Sequence, residues 1–509
     1  MGFNFKDLFV LDIANNHQGD LEHGLKIINE HSKVIKKRGV RAGFKFQFRN
    51  LETLIHKDFL KSNIKHIKRF TETKITDNDY KKLLKEIKKE NIYSICTPFD
   101  EESVDKIIDF GFDILKIASC SSNDWPLLEK ISETNLPTII STGGLKIDEI
   151  DNLVSFAEHR KIDLAIMHCI SIYPTNNEQC HLNNIKMLKE RYPGLTIGWS
   201  THEDPNDSNI VSMAQAAGAD IFERHIGVET QNFKLNKYSS TPEQVDRWIS
   251  SWINSKKTLG KLNRDVDEIE RESLHELRRG VYLKKSLNKG HTLKVSDVYF
   301  AMPCQENQIY SGDFKEGTVL NQDVKRDDPL ISQKVNFPET SDANILYKYV
   351  HKVKAMLNHA KINLGNEFNV EYSHHYGVQK FSETGCVLIE CINREYCKKI
   401  LIQIPGQSHP FHFHKRKEET FQVLWGIMDI NIDGREKKLY PGDTALVLPG
   451  TWHKFKTEHG FIAEEISTTH FDNDSIYKDK GINDMEKKNR KTTVKHWGRF
   501  EIQDKLPSF

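Results

Sequence analysis

The chain contains no run of roughly 18–20 apolar residues, so it offers no helix able to cross a bilayer. It also lacks charge of a dominant sign: 73 Lys and Arg stand against 72 Asp and Glu, for a net +1. Such a balance gives no electrostatic pull toward nucleic acid or an anionic membrane, and neither is expected as a partner. The eight cysteines, at 96, 120, 169, 180, 304, 386, 391 and 397, include no Cys-x-x-Cys pair. Several sit in apolar, strand-like runs, which predicts buried reduced thiols in a cytoplasmic protein. The opening Met1-Gly2-Phe3-Asn4-Phe5-Lys6-Asp7 lacks the charged-then-apolar layout of a signal peptide. Tandem repeats and low-complexity segments are absent.

What is present is a soluble, globular composition, 38% hydrophobic and 28% charged, spread over 509 residues, too many for one ordinary core. From the start to about residue 260, short β-rich runs alternate with charged, amphipathic helical stretches. The runs are Phe9–Ile13, Ala42–Phe48, Ile92–Thr97, Ile114–Ser119, Thr138–Thr142, Leu164–Cys169, Thr196–Ser200 and Ile221–His225. Eight strands with helical connections predict an α/β TIM (β/α)8 barrel over 1–260. A doubly wound open sheet is the weaker alternative, because the glycine-rich first-turn fingerprint is missing. Barrel chemistry gathers at the C-terminal ends of the strands, and the polar residues of this chain fall there. They include Asn15-Asn16-His17, Lys45, Gln47, Thr97, Lys116, Ser119, Ser141, His168, Ser200, His202, Arg224 and His225.

Residues 261–275 read as a charged helix or linker. Residues 276–336 change to short β runs and turns, which predicts a small separate β-rich domain. Residues 337–345 read as a linker. Strand patterns return over 346–480, punctuated by Gly434 and Pro441-Gly442-Asp443. The Lys-rich 481–509 reads as a loosely docked tail.

Two histidine constellations stand out. His202 and His225 end the seventh and eighth strands, and adjacent strands lie ~5 Å apart, so both imidazoles can share a metal with open positions for substrate. Lysines and hydroxyls converging on the same mouth suit a phosphorylated or carboxylated small molecule. The second constellation is Gly406-x5-His412-Phe413-His414-x4-Glu419-x6-Gly426, followed by Pro449-Gly450-Thr451-Trp452-His453. It places His412, His414, Glu419 and His453 where one small β-barrel can aim them at a single divalent transition metal. His409 lies outside this spacing and reads as a rim residue.

The upstream motifs resemble the sialic acid (N-acetylneuraminate) synthase family. They are Asp12-Ile13-Ala14-Asn15-Asn16-His17-Gln18-Gly19, Phe44-Lys45-Phe46-Gln47, Cys96-Thr97-Pro98-Phe99-Asp100, Leu115-Lys116-Ile117-Ala118-Ser119, Ser141-Thr142-Gly143-Gly144, His168-Cys169-Ile170-Ser171-Ile172-Tyr173-Pro174-Thr175, Gly198-Trp199-Ser200-Thr201-His202 and Glu223-Arg224-His225-Ile226. In order and spacing they span residues 8–245. The resemblance implies condensation of phosphoenolpyruvate (PEP) with an open-chain amino sugar, giving a nine-carbon 2-keto acid and phosphate. It implies catalytic roles for Asp12, Lys45, Lys116, His202 and His225, with Mn or Mg on the two histidines. It further implies substrate contacts from Gln47, Thr97, Ser119, Ser141, Ser171, Tyr173, Ser200 and Arg224. The 276–336 segment resembles the antifreeze-like (SAF) domain of the same family, which caps a partner's barrel in a domain-swapped homodimer.

The sequence departs from that pattern on the sugar side. Asp12 stands where the family has Glu, and Ser171 where many members have Asn. Lys234-Leu235-Asn236-Lys237-Tyr238-Ser239 lacks the Asp expected before that serine. Ala301-Met302-Pro303 replaces an Arg-Pro-Gly whose arginine reaches a neighbouring subunit's sugar. The PEP and metal half is retained, while the sugar half is altered.

The downstream constellation resembles a cupin, and Glu464 through Asp474 is similar to sugar-isomerase cupins of the D-lyxose isomerase type, with Glu464 or Glu465 as the proton-moving group. The expected whole is a cytoplasmic PEP-condensing synthase of surface polysaccharide synthesis, with a metal cupin that isomerises or binds a sugar. The alternative is another PEP–aldose condensing synthase, of the heptulosonate or octulosonate kind, with a non-catalytic, sugar-sensing cupin.

Overall fold

The structure is a computed structural model describing residues 2–262 and 264–498. It divides into two compact units, Met1–Asp265 and Val266–Phe509.

In the first unit, β1 (Leu8–Asp12), β2 (Arg41–Phe48), β3 (Tyr93–Pro98), β4 (Ile114–Ile117), β5 (Thr138–Ser141), β6 (Leu164–Cys169), β7 (Thr196–Thr201) and β8 (Ile221–His225) close into one parallel barrel in sequence order. The expected strands are all present, with ends displaced by at most two residues. Alternation along each strand separates two cores. One row packs against the surrounding helices; it includes Phe9, Phe44, Ile117, Ile166, Trp199 and Phe222, with Trp248 from the helix Pro242–Leu259. The other row points into the barrel and fills its lower end with Leu8, Val10, Ile95, Ile114, Met167 and Ile221. Space there is so limited that a Cβ on Gly43 would come within 2.6 Å of Ile95 Cδ1.

The helices take their ends from side chains and turns. Asp20 caps Leu21–Arg38 by accepting from His23 N, and Gly39 ends that helix at φ 62. Thr241 and Gln244 form a capping box at the start of Pro242–Leu259, with Pro242 in its first turn. The register of β1 matters most for function. Asp12 pairs with Lys45 on one side and with His225 on the other. These three residues therefore meet above the apolar floor.

In the second unit, β9 (Gly280–Leu283) pairs with β10 (Val298–Ala301), and β11 (Val319–Leu320) with β12 (Val335–Asn336). They enclose a small core of Val281, Leu283, Leu293, Ile309, Leu320 and Leu330. The stretch read as a linker over 337–345 contains the start of a helix, Asp342–His359, whose Leu346, Val350, Val353 and Leu357 pack on the following sheet.

That sheet is one of two, built from β13 (Asn369–Ser373), β14 (Cys386–Asn393), β15 (Tyr396–Gln403), β16 (His412–His414), β17 (Glu419–Gly426), β18 (Met428–Ile432), β19 (Arg435–Leu439), β20 (Thr444–Val447), β21 (His453–Lys456), β22 (Phe461–Thr468), β23 (Ser475–Tyr477) and β24 (Lys491–Lys495). The seven-stranded sheet runs β20-β17-β22-β15-β14-β13-β24 and the five-stranded one β19-β18-β21-β16-β23. The expected tail at 481–509 is thus corrected in part. Its residues 491–495 hydrogen-bond along β13 as an edge strand, because Val494 continues the apolar row that packs the sheet. Residues 499–509 of that stretch lie outside the described residues.

Candidate active site and metal centre

At the C-terminal ends of the barrel strands, the inward row turns from apolar to charged. Lys45 Nζ lies 2.9 Å from Asp12 Oδ2 and 2.7 Å from Glu223 Oε1. Lys116 Nζ lies 3.6 Å from the other oxygen of Glu223 and donates to Ser141 Oγ at 2.5 Å. All four charged groups are buried. Burial alone would lower the Lys45 ammonium, but Asp12 and Glu223 more than compensate and raise it. Lys116 ends up lowered, because burial outweighs the more distant Glu223 and Lys45 repels it. Burial would raise Glu223, yet the Lys116 and Lys45 charges hold it down at about 2.

Around this array stand hydroxyls and imidazoles. Thr97 Oγ1 is buried with no hydrogen-bond partner among the described residues. Ser119 Oγ accepts from Gly143 N at 3.0 Å, and a Cβ on Gly143 would meet the hydroxyls of Ser171 and Ser119 at 2.4 and 2.8 Å. Only glycine lets those two serines close over the strand end. Ser200 pairs in register with Glu223 across β7 and β8.

His202 and His225 lie with ring centroids 5.4 Å apart. His202 Nδ1 is bonded to Ile170 O at 2.9 Å, and His225 Nδ1 faces Asp12 Oδ2 at 3.3 Å. Burial, then the neighbouring His225, brings His202 down to about 3; burial also lowers His225. Both rings are therefore neutral with one nitrogen oriented by an oxygen, the state in which imidazole ligates a divalent ion. Tyr173 is half exposed and lies over His202, centroids 4.0 Å apart. Gln47 Nε2 reaches Asp12 Oδ2 at 3.4 Å.

The structure corrects one expected substrate contact. Arg224 faces the helices, not the mouth: its guanidinium donates to Glu203 Oε1 at 2.7 Å and lies 5.1 Å over Trp248. The reason is alternation, since Glu223 and His225 occupy the inward positions on either side of it. His168 faces outward for the same reason and is bonded to Cys180 O. Glu223, which sequence reasoning assigned no role, supports both lysines; its parity with His225 was the available signal.

In the second unit, His412 and His453 pair across β16 and β21. The ligand atoms of His412, His414 and His453 lie within 4.8 Å of one another. Each Nδ1 is backed by an oxygen: Pro410 O for His412, Ser475 Oγ for His414 and Thr451 O for His453. Glu419 faces them from the other sheet, 3.2 Å from His414 Nε2 and 3.2 Å from His453 Nε2. His453 Nε2 and Glu419 Oε2 are both buried without a hydrogen bond among the described residues, although they face each other. A nitrogen and a carboxylate oxygen so placed fit a shared transition metal.

Glu419 also meets the buried Lys417, which in turn bonds Glu465 at 2.9 Å. Glu464 pairs with Lys398 at 2.5 Å, so of the two candidate proton carriers only Glu465 lines the space around the histidines. His409 is corrected from rim to interior. It is buried, stacks on Phe455 and meets His375, Nε2 to Nε2, at 3.0 Å. A cavity of about 370 Å³, lined by Glu371, Leu388, Lys399 and His470 among others, shares those four residues with the space around the histidines.

Comparison with known proteins decides the family. The NeuB family model matches residues 33–264 and the Cupin domain model residues 400–464. The chain is 40% identical to a protein from Chromobacterium violaceum described as a spore coat polysaccharide biosynthesis protein E, whose crystal structure it covers completely, over 65% of its own length, with a TM-score of 0.63. The chain belongs to the NeuB family. Among NeuB-type relatives, the N-acetylneuraminate-9-phosphate synthase of Drosophila melanogaster is 27% identical over 64% of this chain and 95% of its own. The N,N'-diacetyllegionaminic acid synthase of Campylobacter jejuni is 25% identical over 64% of this chain and 98% of its own. The cupin is thus an addition to a NeuB-length core.

Proposed function

We propose that the barrel condenses PEP with the aldehyde of an open-chain amino sugar, giving a nonulosonic-type 2-keto acid and phosphate for surface polysaccharide synthesis. The observation that carries this reading is the surroundings of Lys116. It is a buried ammonium whose carboxylate neighbour stands off at 3.6 Å, with Ser141 bonded to it and the partnerless hydroxyl of Thr97 on the neighbouring strand. Such a cradle suits the phosphate and carboxylate of PEP. The family membership supports the same chemistry.

In this reading Lys45 and Lys116 fix PEP, with Ser119, Ser141, Ser171 and Ser200 on its oxygens and Gln47 and Tyr173 toward the sugar. The C3 of PEP bonds to the aldehyde carbon, whose oxygen takes a proton. Water adds at C2, and the C2–O bond to phosphate breaks. A divalent ion on His202 and His225 supplies polarisation of the aldehyde when bound. Asp12 orients His225 through Nδ1 and steadies Lys45. PEP presented with a panel of aldoses to the full-length protein should release phosphate with at least one amino sugar. No release with any aldose, in the presence of Mn²⁺ or Mg²⁺, would sink the reading.

The cupin we read as a metal-dependent sugar-binding domain. Its 370 Å³ cavity supports a sugar-sized ligand, while both candidate isomerase carboxylates are tied to lysines. Residues 1–260, 276–336 and 346 onward are read as condensing, antifreeze-like and cupin domains of a cytoplasmic, domain-swapped homodimer. Free thiols at all eight cysteines support the reducing compartment.

A further inference from the structure

We propose that the cupin cavity takes a sugar acid, its carboxylate held by the ammonium of Lys399 and its hydroxyls turned toward the metal histidines. This rests on the sugar-binding reading of the cupin above.

Lys399 lies on the inward face of β15 and is only 6% exposed. It lines both the cavity of about 370 Å³ and the space around His412, His414 and Glu419. Its two neighbours in the sheet are carboxylates, Glu465 on β22 and Glu390 on β14. Glu465 is engaged elsewhere, by Lys417 at 2.9 Å and Ser467 at 3.1 Å. Glu390 stands off at 3.8 Å and is partly open to solvent. The Lys399 ammonium therefore has no hydrogen bond among the described residues. An ammonium shielded from water and left without an acceptor is costly. A carboxylate in the cavity supplies that acceptor through a charge-assisted bond.

The other cations of the cavity wall are already paired. Lys417 is held between Glu419 and Glu465, Lys491 lies 2.7 Å from Glu371, and Lys487 lies 2.6 Å from Asp472. Among the described residues, four lysines and five carboxylates line the two spaces. A divalent ion on the histidines turns that single negative charge into a single positive one, which a monoanionic ligand neutralises. Burial, then the charges of Lys399, Lys417 and Lys491, bring His470 down to about 3. His470 lines both spaces, so the positive field of three ammonium groups converges where they adjoin. The volume suits one monosaccharide. A uronate and a 2-keto acid of the class the barrel makes share this chemistry, and the probes below separate them.

Titration calorimetry on the Mn²⁺-loaded full-length protein tests this with two matched pairs: glucuronate with glucose, and N-acetylneuraminate with its methyl ester. Binding that is lost when His412 and His414 are both replaced by Ala belongs to the cupin and not to the barrel. In at least one pair the acid should bind the cupin about tenfold more tightly than its neutral partner, the worth of one charge-assisted hydrogen bond. The pair that shows this identifies the acid. Lys399→Met should abolish the preference and leave the affinity for the neutral sugar unchanged. Equal cupin-dependent binding of acid and neutral sugar, or the same preference in Lys399→Met, overturns the proposal. If Lys399→Met fails to fold, Lys399→Gln takes its place, and an unchanged preference there overturns it equally. Absence of cupin-dependent binding for every probe overturns it too, and that outcome alone also sinks the sugar-binding reading.

Discussion

Lys45 Nζ lies 2.7 Å from Glu223 Oε1, although 178 residues separate them in the chain. The same carboxylate stands 3.6 Å from Lys116 Nζ. With Asp12 beside Lys45, this acid helps keep two buried ammonium groups charged side by side, which suits a multiply anionic substrate at the barrel mouth.

Glu223→Gln should leave those lysines repelling each other in a low-dielectric site. Both would then lose their protons at lower pH than in the wild type, so the alkaline limb of the pH–rate profile should move toward acid. Stability should fall by about 3 kcal/mol, as for other broken buried pairs, visible as a lower urea midpoint. An unchanged pH profile would contradict the role given to Glu223.

His202→Ala should bind PEP nearly as well as the wild type but turn over at least 100-fold more slowly. Chelation should abolish phosphate release in the wild type, and Mn²⁺ or a similar ion should restore it. Full activity in the variant would remove His202 from the site.

Metal analysis should find two divalent ions per chain. Replacing His412 and His414 together by Ala should reduce the count to one and leave condensation of a suitable aldose intact. Unchanged metal content in that variant would show the cupin ligands to be misassigned.

Much of this was legible in the sequence because strand ends carry the chemistry. The eight barrel runs, the pairing of His202 and His225 at the barrel mouth and the His-x-His of the cupin follow from hydrophobic runs and fixed spacing. What spacing alone misplaces is the face. Arg224 and Glu223 are neighbours, and only their parity within β8 separates an outward structural cation from the acid that supports both lysines. The Lys417–Glu465 and His375–His409 pairs join strands distant in sequence, so no local pattern announces them. The β24 edge strand was hidden by its lysines, which line a sheet edge and read as a solvated tail.

Stability should also depend on pH through His31, which lies fully buried in the helix Leu21–Arg38, Nδ1 bonded to Ile27 O at 2.9 Å. Burial brings it from 6.5 to about 4. The folded state therefore disfavours the proton, and the unfolded state takes it up first. Above pH 6.5 the group carries no penalty; between pH 6.5 and 4 stability is lost as pH falls, by about 3 kcal/mol in all. His31→Gln should lose correspondingly less between pH 7 and 4 in denaturant titrations. A parallel pH dependence in the variant would contradict the assignment.

The central claim is condensation at C2 of PEP with C–O cleavage, and turnover in water enriched in heavy oxygen tests it most directly. With an accepted aldose, mass spectrometry should find the label in the 2-keto acid and none in the released phosphate. Label in the phosphate would mean attack at phosphorus, and the account of the barrel would be wrong.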